Sequence, residues 1–64
     1  MKISIEAARV NAGLRLNDAA KGLGVATSTL SGYENGKTKP PFDIVEKMAV
    51  LYNWPIEYLR VGNE

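Results

Sequence analysis

The sequence contains no cysteine and no histidine. The first absence excludes a disulfide staple, and the two together remove the usual ligands of a zinc site and most nucleophilic chemistry. Long apolar runs are missing as well. None approaches the roughly 20 residues needed to cross a bilayer, and Met1-Lys2-Ile3-Ser4 leads into Glu6 and Arg9 rather than into the apolar stretch of a signal peptide. The expectation is a soluble cytoplasmic protein with no membrane partner. There is no glycine-rich phosphate cradle and no carboxylate dyad, so the chain is not expected to be an enzyme, nor to need a cofactor, a metal or a small-molecule ligand. Sixty-four residues make one domain, 1–64, and a chain of that size buries only about 60% of the surface its unfolded form exposes. Without a staple, close helix packing or a partner must supply the remaining stability.

Net charge is small, +1, but charge is unevenly spread. Through Lys39 there are six basic residues (Lys2, Arg9, Arg15, Lys21, Lys37, Lys39) against three acidic ones (Glu6, Asp18, Glu34). From Pro40 onward two basic residues (Lys47, Arg60) face four acidic ones (Asp43, Glu46, Glu57, Glu64). The first part is therefore positive and the second negative, an asymmetry that also occurs on ordinary surfaces.

Apolar periodicity predicts an all-α bundle of five short helices, at about 5–12, 16–23, 27–35, 43–52 and 55–60. Ser4 can cap the first and Gly13 end it, with Ile5, Ala8 and Ala12 on one face. Arg9 lies close to that face, and periodicity alone reads it as a solvated arginine whose stem follows the edge of the core. The second helix turns Ala19, Ala20 and Leu23 inward. Arg15 has no acceptor with which to cap it, so Asn17 is expected to cap a shorter version, with Asp18 near the positive end. Gly24-Val25-Ala26 forms a turn in which Gly24 takes a conformation that side chains resist. Ala26 cannot cap the third helix, which costs about 1 kcal/mol, and Thr27 is expected to take over. In the fourth helix Ile44, Val45, Met48, Ala49, Leu51 and Tyr52 make a broad apolar stripe, which Asn53 ends. Trp54 is the largest single apolar body in the chain, and Pro55 suits the first turn of the last helix.

The stretch from Gly24 to Lys37 organises the rest. On a helical wheel Leu30 and Tyr33 fall on one side of the third helix, and Ser28, Ser31, Gly32 and Asn35 on the other. So short a helix cannot stand alone in water, so its apolar side must be fastened to a core. The polar side is left to meet something else. Gly36 stops the helix, and Lys37-Thr38-Lys39-Pro40-Pro41 follows, which on composition alone is a polar, solvated turn.

Ala7 to Leu59 resembles the helix-turn-helix domain of the phage repressor and Cro proteins, the XRE family. The resemblance is carried by Arg9, Ala12-Gly13-Leu14, Ala20, Leu23-Gly24-Val25, Leu30-Ser31, Tyr33-Glu34-Asn35-Gly36-Lys37, Lys39-Pro40, Ala49 and Leu59. It implies a lambda-repressor-like fold, the second and third helices forming the helix-turn-helix, and a non-enzymatic, sequence-specific regulator of transcription that lays the helix at 27–35 in the major groove of double-stranded DNA. By that resemblance Thr27, Ser28, Ser31, Gly32 and Asn35 are the candidate base readers, and Arg15, Lys37, Thr38 and Lys39 the candidate phosphate contacts. Arg9 and Glu34 become an ion pair tying the first helix to the reading helix. A two-fold homodimer on a palindromic operator is implied, with Tyr58, Leu59 and Val61 as its pairing surface, although fraying ends account nearly as well for Val61 to Glu64. The setting would be a bacterial cell or a phage-infected host, and the length fits a Cro-like protein or the DNA-binding half of a repressor.

The sequence also departs from the family. Relatives start the second helix with a threonine cap and a DNA-contacting glutamine, where this chain has Arg15 and Leu16. Base-reading positions that often hold long amides or cations here hold threonine, serine and glycine, which cannot make the bidentate contacts worth roughly 1–3 kcal/mol each. Either DNA shape and water carry the specificity, or the fold binds and modulates another regulatory protein. Leu16, Ala26 and Gly32 favour the second alternative, and Lys37, Thr38 and Lys39 oppose it.

Overall fold

A computed structural model describes residues 2–60. Four α-helices, a 3-10 turn and a two-stranded parallel pairing are present among them. The helices are α1 (Ile5–Asn11), α2 (Leu16–Leu23), α3 (Thr27–Glu34) and α4 (Phe42–Leu51). Strand β1 (Ile3–Ser4) pairs with β2 (Leu59–Arg60), Ile3 against Leu59 and Ser4 against Arg60.

The helix boundaries follow from local chemistry. Ser4 Oγ accepts the Ala7 amide at 3.1 Å and starts α1. Gly13, at φ +76°, turns the chain out of it. Ala12 is the cap of that helix and is exposed rather than inward. The expected cap at Asn17 is not used: α2 begins at Leu16, because Arg15 is extended and its carbonyl already accepts the Ala19 amide at 2.9 Å. Likewise Thr27 lies inside α3, and the capping position is Ala26, which makes no side-chain bond. Asn53 does end α4, at φ 55°.

The fifth helix is the substantive correction. Only Ile56–Tyr58 forms a single 3-10 turn, and Leu59 is extended. Three residues between Pro55 and the strand are too few to nucleate an α-helix, and the free edge of Ile3–Ser4 offers backbone partners that a longer helix would forgo. Leu59 is thereby carried into the core, at 5% exposure.

That core is built from the inward residues of every helix. Leu23, Leu30 and Met48 are its largest fully buried side chains, with Ile5, Ala8, Ala19, Ala20, Ile44, Val45 and Tyr52 around them. Trp54 is half-buried and packs against this cluster rather than within it. Helix α2 packs on both α3 and α4. At the crossing with α4 a Cβ on Gly22 would stand 2.9 Å from a Leu51 methyl, so any side chain there would have to push the end of Leu51 aside.

Candidate nucleic-acid interface

Helix α3 is held from behind. Leu30 is completely buried and Tyr33 is 8% exposed. Arg9 reaches across from α1, its Nε donating to Glu34 Oε2 at 2.7 Å and its Nη2 to Oε1 at 3.3 Å. The third donor, Nη1, reaches the Leu14 carbonyl at 2.9 Å, while the Leu14 amide donates to the Arg9 carbonyl at 3.2 Å. One guanidinium therefore fastens α1, the turn after it and the end of α3. Both partners are largely covered, so the arginine is not the solvated side chain that periodicity alone suggests. The hydrogen bond that Arg9 donates to Glu34 raises the Arg9 pKa, which burial opposes. Tyr52 lies close to this pair, and its pKa is pushed up to about 12, first by burial and then by the charge of Glu34, with Arg9 acting against them.

The opposite side of α3 is open. Thr27, Ser28 and Asn35 are exposed, and Ser31 and Gly32 are half-buried. Asn35 Nδ2 lies 3.4 Å from Ser31 Oγ, so two of the candidate readers hold each other loosely. Gly36, at φ +79°, reverses the chain, and the loop then folds back: the amides of Lys37 and Thr38 donate to the Gly32 carbonyl at 3.0 and 3.3 Å. The loop of candidate phosphate contacts is thus fixed by backbone to the last turn of the candidate reading helix. Lys37, Thr38 and Lys39 are all exposed beside it, and Arg15 is exposed at the start of α2.

Of the expected pairing residues, Tyr58 is 44% exposed and Val61 lies outside the described residues. Leu59 is corrected: buried under the β1–β2 pairing, it belongs to the chain's own core. Sequence reading missed Phe42, which is 69% exposed at the start of α4 and lines a shallow apolar groove with Lys39, Pro40, Val45, Ile56 and Leu59. A large aromatic directly after Pro40-Pro41, at a position off the inward stripe of α4, was the available signal. Leu16, counted among the features of a modified outer face, packs in part against the core. Among the described residues no group of His, Cys, Asp or Glu side chains could hold a metal ion, and no helix is long and apolar enough to cross a membrane.

With this geometry the chain matches a family model described as helix-turn-helix over residues 5–59. The chain belongs to this family, the XRE-type helix-turn-helix proteins. It is similar to the cryptic phage CTXphi transcriptional repressor RstR of Vibrio cholerae, with 38% identity over 56 residues, 88% of this chain and 50% of that protein. This helix-turn-helix chain thus spans half the length of that curated relative. No solved structure matches it.

Proposed function

We propose that this helix-turn-helix protein is a sequence-specific, double-stranded-DNA-binding regulator of transcription of the repressor or Cro type, presenting α3 to the major groove. The observation that carries the reading is the junction of α3 with its loop. An exposed polar helix face is joined through the Gly32 carbonyl to exposed Lys37, Thr38 and Lys39. That arrangement supplies what a duplex requires, hydrogen-bonding groups for the groove flanked by cations and amides for the phosphates. The similarity to a phage transcriptional repressor points the same way.

The readers are Thr27, Ser28, Ser31 and Asn35, whose short side chains make single hydrogen bonds and leave a share of specificity to water and DNA shape. Arg15, Lys37, Thr38 and Lys39 meet phosphates. A homodimer on a palindromic operator doubles these contacts, and exposed Tyr58 and Phe42 supply apolar area for the pairing. The alternative, a module that binds another regulatory protein through the same face, loses part of its support with Leu16, whose packing against the core explains an apolar residue there.

Incubation of the protein with a pool of random duplexes, at low and then higher salt, tests the reading. Enrichment of a roughly palindromic sequence is expected. Retention without enrichment would leave a phosphate binder, and absence of retention at either salt would end the proposal as a direct DNA binder.

A further inference from the structure

Five glycines lie among the described residues, and four of them are explained by the chain itself. Gly13, Gly24 and Gly36 have φ near +76 to +79°, where a side chain is strained. Gly22 gives way to Leu51, as described above. Gly32 has neither reason. It is an ordinary helical residue in α3, and a Cβ built on it meets only Thr38 Oγ1, at 3.9 Å, an ordinary van der Waals separation. Glycine inside a helix costs stability relative to alanine, and in this helix the fold receives nothing in return. The residue's carbonyl is also the point where the loop is tied, so the bare Cα of Gly32 and the hydroxyl of Thr38 lie side by side.

We infer that Gly32 serves contact with DNA by leaving its Cα bare, so that a phosphate of one strand seats between α3 and the loop and accepts a hydrogen bond from the Thr38 hydroxyl. This deepens the proposed function and rests on it. Gly32 is then a positioning residue for the DNA backbone rather than a reader of bases. A methyl group at that point keeps the phosphate away from Thr38 and lifts the whole helix from the groove. Close approach also lets short readers such as Ser28 reach base edges that longer side chains reach elsewhere. Contacts to phosphate carry no sequence information, so losing this one weakens binding to every sequence alike.

The experiment compares the wild-type chain with Gly32→Ala, Gly32→Gln and Thr38→Val, first in the random-duplex selection and then by titration on the enriched duplex. Gly32→Ala should melt about 4–8 °C higher than wild type, from helix propensity, which excludes misfolding as the cause of any loss. It should nevertheless bind at least about tenfold more weakly, the loss of one or two hydrogen bonds in the interface, while enriching the same sequence. Thr38→Val should weaken binding similarly, and the double variant should fall no further than either single one, because both remove the same contact. Gly32→Gln, with a side chain able to read a base, should lose affinity for all sequences. Wild-type retention together with equal or tighter binding by Gly32→Ala overturns the inference alone. A new enriched sequence for Gly32→Gln at undiminished affinity overturns it too, since the position would then be a base-reading slot. Failure of the wild-type chain to bind any duplex overturns the proposed function and this inference with it.

Discussion

The two sides of α3 are built on opposite terms. Its inner side carries a fully buried leucine, a buried tyrosine and a covered ion pair in which three guanidinium donors are satisfied. Its outer side carries short polar side chains, an uncapped start and a glycine the fold does not require. Stability is concentrated on the first and given up on the second. Sites that must bind are where a protein tolerates such local losses, so the contrast supports the proposal that the outer side is the one presented to DNA.

Glu34→Ala is the most severe way to break that contrast. It leaves Arg9 covered and unpaired, and a loss of about 3–5 kcal/mol is expected in urea denaturation. A loss below about 1 kcal/mol, typical of surface pairs, would mean that the inner side is not anchored there. Leu30→Ala should cost about 2–5 kcal/mol through the cavity it leaves, whereas Ser31→Ala on the outer side should stay within about 0.5 kcal/mol. The lysines invert the pattern. Replacing Lys37 and Lys39 together by alanine should leave denaturation within about 0.5 kcal/mol, yet reduce the salt slope of DNA affinity by about 2. An unchanged slope would remove the loop from the interface. Ala26→Ser should add about 1 kcal/mol by supplying the missing cap of α3, read as a raised melting temperature.

Tyr52→Phe sharpens the contrast most gently. Burial raises the Tyr52 pKa from 10.0 to about 12, so the folded chain keeps its proton where the unfolded chain has lost it. The contribution of Tyr52 to stability should therefore be level below about pH 10 and fall as pH rises from about 10 to about 12. The phenylalanine variant should lose that slope in alkaline denaturation. Near neutral pH it should match or exceed the wild type, because the Tyr52 hydroxyl is buried with no hydrogen-bond partner among the described residues.

Much of this fold is legible in the sequence because its signals are local. Leu30 and Tyr33 at helical spacing, Gly24 in the turn and Gly36 after Asn35 fix α3 and its two ends. The pairing of Arg9 with Glu34 came from family resemblance, since periodicity cannot tell a solvated arginine from a paired one 25 residues away. Two helix starts differ from the sequence expectation for a common reason. A backbone carbonyl can start a helix without any side-chain acceptor, and Arg15 and Ala26 do so in α2 and α3. The last segment failed because its conformation is set from outside. Nothing within Pro55 to Arg60 reports that Ile3–Ser4 waits beside it as a strand. In the candidate interface, the exposure of Phe42 and the open space above Gly32 are tertiary facts, invisible until α4 and the loop are in place.

Pairing Ile3 with Leu59 gives the domain a closing contact that spans nearly all the described chain. Neighbouring helices can meet early, since short loops close at little entropic cost, but this contact joins segments more than fifty residues apart. During synthesis, therefore, Ile3–Ser4 has no strand partner until Leu59–Arg60 has left the ribosome. The growing chain lacks that pairing until all four helices have been made, and the strand pairing acts as a clasp that fastens after them.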